Sequence, residues 1–311
     1  MKILIMGGTE FVSRAIAEYM ISKGHEVSIF TRGIRKLTYG GSYMHYTGDR
    51  KNIGDVEKAI KDVAFDYVLD ISAYNLIDIT NLLKVLDTTE LKRYVFCSTG
   101  AVYKPTEEII NEEYTRGYNE NWGQYGLDKL EIENYLFNLY EKEKFPVSVF
   151  RPTYIYGKGS NLYREIYLFD RLKRSLAVPI PDSSSKVQFI YIDDLVRFVE
   201  SIMFEDRTIG QAYNATNTEI IAWEKWVNTA AEVMGIDARI KKVNIGLGIK
   251  AREYFPFRDC TYLLNTDKSR EHQLFIPSIN LKEGLKLSYE WYRNTHPVIK
   301  DIKMNKIETV L

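Results

Sequence analysis

Tyr125 and Lys129, in the run Tyr125-Gly126-Leu127-Asp128-Lys129, lie four residues apart at the start of a strongly periodic stretch. On a helix, residues i and i+4 share one face. A phenol with an ammonium beside it, in a partly dry site, has its phenolate favoured and its pKa lowered toward the range of a general acid or base. Such a pair suits a redox enzyme. The same spacing is also common on exposed helix faces, so the elements around it must decide.

Short apolar runs alternate with amphipathic stretches through the first half of the chain. The candidate strands are Lys2 to Met6, Glu26 to Phe30, Tyr43 to Thr47, Tyr67 to Ile71, Arg93 to Ser98 and Val147 to Phe150. Between the first two, Phe11, Ala15, Ile16, Tyr19 and Met20 form a stripe at helical spacing, and Gly24 is placed to end that helix. This pattern predicts an α/β fold: a doubly wound parallel Rossmann-type sheet with helices on both faces and ligands outside the carboxyl ends of its strands.

Residues 1–155 read as the dinucleotide-binding domain. Residues 156–311 read mainly as a smaller C-terminal substrate lobe, with segments near 187–215 returning to the first domain. Helices are predicted near Leu162 to Arg174, Asp193 to Phe204, Ala222 to Met234 and Leu281 to Tyr292, and beyond His296 a loose tail or contact arm. No linker separates the halves, which predicts a cleft between them.

Composition narrows the classes. Lys+Arg and Asp+Glu both number 42, which argues against the basic field of a nucleic-acid or anionic-membrane binder. No run reaches membrane-spanning length and the apolar stretch Ile3 to Met6 is too short for a signal peptide, so the expectation is a cytoplasmic chain. Cys97 and Cys260 have no framework spacing and read as reduced thiols. The four histidines, His25, His45, His272 and His296, are scattered, so no metal is assigned. A hydrolase's Gly-x-Ser-x-Gly elbow is missing.

After the first strand comes Met6-Gly7-Gly8-Thr9-Glu10-Phe11-Val12-Ser13. Small residues between strand and helix let backbone N–H groups approach a pyrophosphate at a helix N-terminus. A three-glycine version would have Gly at 10 and 13; Glu10 there would repel a phosphate unless its side chain turns away. The second strand ends in Phe30-Thr31-Arg32-Gly33, where a carboxylate would favour NAD. Arg32, helped by Arg35 or Lys36, tilts the reading to NADP.

In order and spacing these motifs resemble the extended short-chain dehydrogenase/reductase family, which contains NAD-dependent nucleotide-sugar epimerases, dehydratases and ketoreductases. Gly48-Asp49 is similar to the segment whose acidic residue bonds adenine, and Asp70-Ile71-Ser72-Ala73-Tyr74 to the small-residue wall of the cofactor. Phe96-Cys97-Ser98-Thr99-Gly100-Ala101-Val102-Tyr103 resembles the fifth-strand segment that contributes Thr99 to the catalytic set. Glu133 follows Tyr125 and Lys129 as in the family's helix. Arg151-Pro152-Thr153-Tyr154-Ile155-Tyr156-Gly157, Phe189 to Leu195, and Arg258-Asp259 through Asn265 and Lys268 match later segments.

What the resemblance implies is specific. Tyr125 moves a proton on or off a sugar hydroxyl or ketone, Lys129 lowers the tyrosine pKa and bonds the nicotinamide ribose, and Thr99 holds the reacting oxygen. Gly7, Gly8, Thr9, Glu10, Phe11, Val12, Arg32, Asp49, Ser72 and Ala73 join Tyr125 and Lys129 around NAD(P). Thr99, Tyr154 and Arg258 face a nucleotide-sugar substrate, and the chain pairs as a homodimer. Epimerisation is the first expectation, and its internal redox cycle leans to NAD. Reduction with NADPH or dehydration is second, although Gly100 follows Thr99 where a dehydratase places an acid. Val187 stands where the family often has Arg. A cofactor-sensing protein is a further alternative. Another is RNA binding, because chains with a similar Gly-Gly-Thr-x-Phe turn resemble a plant plastid group of this fold that binds RNA.

Overall fold

Alternation along the strands sets the layers. The computed structural model describes residues 1–244 and 248–311. It begins β1 (Lys2–Met6), α1 (Phe11–Ser22), β2 (Glu26–Thr31), β3 (Tyr43–Thr47), α2 (Ile53–Ile60), β4 (Tyr67–Asp70), α3 (Leu76–Leu83), β5 (Arg93–Cys97), α4 (Gln124–Glu143) and β6 (Val147–Pro152). These strands and β11 (Gln211–Ala215) form one seven-stranded parallel sheet in the order β11-β6-β5-β4-β1-β2-β3. Ile3, Ile5, Val27 and Ile29 face α1, whereas Leu4, Met6, Val68 and Phe96 face the layer of α2, α3 and α4. Period-two burial on both faces is why the central strands read as apolar runs.

The chain leaves β1 toward β2 on one side and returns to β4 on the other. That reversal opens a crevice above the carboxyl ends of β1 and β4. Its far wall comes from the second half: β7 (Tyr154–Tyr156), α5 (Glu165–Lys173), β8 (Val178–Pro181), β9 (Lys186–Val187), β10 (Phe189–Tyr191), α6 (Ile192–Phe204), β12 (Ile221–Ala222), α7 (Trp223–Met234), β13 (Ile240–Val243), α8 (Asp267–Glu271) and α9 (Leu281–Thr295). Three two-stranded sheets, β7 with β10, β8 with β13 and β9 with β12, tie this lobe together. Phe189 and Trp226 stack in its core, as do Trp223 and Phe257.

Some boundaries differ from the sequence expectation. Helix α5 starts at Glu165, not Leu162, because Arg164 adopts φ −113° and ψ −92°, outside helical geometry. The bend leaves Arg164 beside the cleft. The residues after His296 form an arm lying on the lobe: Met304 and Val310 are buried, Lys306 N–H donates to the Glu253 carbonyl, and Glu308 pairs with Arg171 at 2.9 Å.

Candidate functional site

The crevice is a cleft of about 850 Å³ reaching from the β1 turn to Arg258 and Tyr262. At its start Gly7 and Gly8 have φ of +113° and +127°, a region that penalises any side chain. A Cβ on Gly7 would lie 2.9 Å from the Ser13 Cβ, and one on Gly8 2.7 Å from Ile29 Cγ2. The N-cap residue of α1, Glu10, makes no side-chain cap bond. The cleft-lining backbone at this helix N-terminus therefore fits the pyrophosphate of a dinucleotide. Glu10 does not oppose an anion there, because its carboxylate engages the Arg35 guanidinium. Arg35 is correspondingly committed to Glu10, which leaves Arg32 as the cleft-lining arginine at the end of β2.

Two of the predicted cofactor contacts stand back from the cleft. Gly8 packs its backbone toward Ile29, and Ala73 is buried with its carbonyl taken by Lys129. The other predicted residues line it: Gly7, Thr9, Glu10, Phe11, Val12, Arg32, Asp49, Ser72, Thr99, Tyr125, Lys129, Tyr154 and Arg258. Beneath Asp49 lies a buried pair that sequence reading missed. Arg50 grips Asp70 with two bonds of 2.8 and 2.6 Å and also reaches Ser72 Oγ, while Tyr94 donates to the same Asp70 at 2.6 Å. This arrangement stiffens the β4 end on which Ser72 sits, and no local spacing announces a pair twenty residues apart.

The Tyr125/Lys129 expectation needs one correction. Lys129 Nζ is buried and donates to the Ala73 and Cys97 carbonyls, both at 2.7 Å, with its charge over the Phe96 and Tyr74 rings. The Tyr125 pKa is raised and not lowered, and Lys129 is not among the main groups that set it. Burial holds the Tyr125 phenol above its ordinary range, the Cys97 thiol adds to this, and the Thr99 hydroxyl opposes it. Helical spacing put Lys129 on the same face; the carbonyls at the ends of β4 and β5 decided where its ammonium points. Tyr125 nonetheless keeps 38% of its surface exposed as part of the cleft lining.

Close packing sets the start of α4 against the turn that follows Thr99. Gly126 lies so near the turn Gly100–Val102 that a Cβ would sit 2.5 Å from the Ala101 carbonyl oxygen. Alanine inside a helix ordinarily adds about 0.5–1 kcal/mol relative to glycine. Here Gly126→Ala is expected to cost roughly 1–3 kcal/mol instead, since backbone must shift. The denaturation midpoint checks this sign; a stabilised variant would mean α4 is free to move off the turn.

Behind the site, Glu133 and Arg151 make a buried bidentate pair at 2.9 and 2.7 Å, joined by Arg116 and by Tyr103, which accepts from Arg151 and donates to Asn214. Sequence reading singled out Glu133 and Arg151 separately; the fold unites them away from the cleft. On the far wall of the cleft, Arg258 stacks over Trp122 at 4.3 Å and Arg164 lies over Tyr154 and Phe257 at 5.1 and 5.3 Å. Burial lowers the Arg164 pKa, Tyr154 and Glu165 oppose the shift, and Arg252 and Arg258 add to it. Tyr154 Oη is buried with no hydrogen-bond partner. Trp122, Arg164 and Tyr262 were not anticipated, although Tyr262 falls within the Arg258-to-Asn265 run.

Residues 3–216 match the family model described as NAD dependent epimerase/dehydratase family. This chain belongs to that family. It is thus an enzyme of the NAD-dependent epimerase/dehydratase type. Its fold is similar to UDP-glucose 4-epimerase from Thermotoga maritima, solved with UDP-glucose, at a TM-score of 0.79, 20% identity and coverage of 96% of this chain and 100% of that one. The Thermus thermophilus UDP-glucose 4-epimerase in complex with NAD gives a TM-score of 0.78, 18% identity and coverage of 95% and 100%. The chloroplast stem-loop binding protein of 41 kDa b from Arabidopsis thaliana is 25% identical over 310 residues, covering 93% of this chain and 78% of that protein. Among the described residues, no helix is long and apolar enough to cross a membrane.

Proposed function

We propose that this enzyme epimerises a nucleotide-activated sugar through NAD(P), with Tyr125 as acid and base, Thr99 positioning the reacting oxygen and Lys129 holding the cofactor's ribose. The observation that carries this reading is the meeting of Thr99, Tyr125 and Lys129 in one cleft with the Gly7 turn at one end and Arg164 and Arg258 at the other. The nicotinamide, when bound, supplies a hydride acceptor and donor. Everything else comes from the chain. Lys129 spends two of its three N–H donors on carbonyls and keeps the third for the cleft. Arg164 and Arg258 repel each other on one wall, a cost that a diphosphate between them would relieve. Tyr154 Oη, buried and unpartnered, suits a polar group of the substrate.

In this reading residues 1–155 are the cofactor half, residues 156–311 mainly the substrate half, and the protein is a cytoplasmic homodimer joined through α4 and its neighbour. A second reading, NADPH-dependent reduction of a nucleotide sugar, is favoured by Thr31 and Arg32 at the end of β2 and by a phenol held in its protonated form. RNA binding, suggested by the name of the Arabidopsis relative, has the balanced charge against it.

Denaturing freshly purified protein and identifying released nucleotide by mass spectrometry tests these readings. Retained NAD or NADH, followed by turnover on a panel of nucleotide sugars, is the expected result. No retained nucleotide together with tight NADPH binding overturns epimerisation in favour of reduction. A salt-dependent RNA shift without turnover overturns both.

A further inference from the structure

Between β4 and α3, Ser72, Ala73, Tyr74 and Asn75 are each tied down. Ser72 Oγ accepts from Arg50 Nη1 at 3.1 Å, and the Ala73 carbonyl accepts from Lys129 Nζ at 2.7 Å. The Tyr74 and Asn75 N–H groups both donate to Asp78 Oδ2, at 2.8 and 3.2 Å. Asp78 is itself buried, and its carbonyl accepts two bonds from Arg50, at 3.2 and 2.8 Å. The backbone of this segment therefore has little freedom to move.

This stiff segment presents one large side chain. Ala73 is fully buried, whereas Tyr74 lines the cleft with 61% of its surface exposed. Among the described residues its ring has one charged or aromatic partner, the Lys129 ammonium at 5.3 Å from the centroid. An exposed aromatic ring on a fixed backbone offers a large contact surface and loses little entropy on contact, since only two side-chain torsions remain free.

The segment also runs along the cleft in a defined direction. Ile71 N–H donates to the Met6 carbonyl at 3.3 Å, and Ser72 Cβ lies 3.5 Å from where a Cβ on Gly7 would stand, so the segment begins against the β1 turn. Two residues on, Tyr74 stands beside Lys129. The run thus leads from the turn that fits a pyrophosphate to the ammonium at the far side of the cofactor half. We propose that Tyr74 is a further cofactor-binding residue, whose ring packs against the nicotinamide and its ribose. This role rests on the reading that Lys129 holds that ribose.

Binding alone tests it. Full-length protein, stripped of any retained nucleotide, is titrated by calorimetry with the reduced dinucleotide that the wild type binds more tightly, NADH or NADPH. The matching adenosine diphosphate, without or with the 2′-phosphate, lacks the nicotinamide and its ribose and serves as the comparison. Tyr74→Ala is expected to weaken dinucleotide binding about tenfold, the usual scale for removing an aromatic partner from a planar base, and to leave adenosine diphosphate binding within about twofold. Tyr74→Phe keeps the ring and is expected to stay within about threefold of wild type for both ligands. Lys129 retains both carbonyls and the Phe96 ring in either variant, so its ammonium stays in place.

Dinucleotide binding that is unchanged in Tyr74→Ala, or weakened equally with adenosine diphosphate, overturns the proposal. So does a Phe variant as weak as the Ala variant. A wild type that binds the dinucleotide no more tightly than adenosine diphosphate removes the cofactor reading of Lys129 and this proposal together.

Discussion

Tyr125→Phe is expected to lower turnover on a nucleotide-sugar substrate by about 10²–10⁴-fold, the usual contribution of a positioned general acid or base. NAD(P)H binding and thermal stability should hardly change. The start of α4 keeps its packing against the turn after Thr99, and the lost hydroxyl belongs to a side chain that is 38% exposed. Steady-state turnover measured beside a cofactor fluorescence titration separates the two effects. Full turnover in the variant would refute Tyr125 as the proton carrier; lost cofactor binding would recast it as a binding residue.

The protonation state gives the same claim a pH dependence. Burial first, then Cys97, holds the Tyr125 phenol above its ordinary value of 10.0. Carbonyl reduction uses the phenol as acid, so its rate is expected to stay level through neutral pH and fall only at strongly alkaline values. Alcohol oxidation needs the phenolate and is expected to rise with pH over the same range. An oxidation rate that is flat through neutral pH would mean that another base takes the proton.

Arg151→Met is expected to be the most destabilising single change considered. It leaves the fully buried Glu133 carboxylate with Arg116 alone, and unpairing a buried ion of this kind costs about 3–5 kcal/mol. A midpoint drop on the order of 10 °C follows. Burial by itself would raise the Glu133 pKa; the Arg151 charge and hydrogen bonds, with help from Arg116, outweigh it and hold the group below 4.5.

A carboxyl depressed in this way adds stability above its unfolded pKa, and that stability is lost as pH falls through the lower folded value. Without Arg151 the folded pKa rises. The variant's deficit is therefore expected to be largest at neutral pH and to shrink as both forms become protonated in acid. Denaturant melts from neutral pH down to the acid limit check this. The double variant Arg151→Met/Glu133→Leu should recover most of the loss; if it does not, packing around Arg151, and not the charge, holds the region.

The sequence by itself determined the sheet, the β1 turn and most of the residues that line the cleft. Period-two burial and a strand–turn–helix–strand run are local properties, so they are legible residue by residue. The order of motifs carried the family. Tertiary structure alone decided what those residues touch. Nothing in the spacing of Tyr125 and Lys129 reveals that the ends of β4 and β5 supply carbonyls that capture the ammonium, or that the phenol is left protonated by burial. The Arg50–Asp70 and Arg151–Glu133 pairs and the approach of Tyr262 to Gly100 join segments 18 to 162 residues apart. Electrostatics and hydrogen bonding act through space over a few ångströms, whereas sequence patterns report only the distance along the chain.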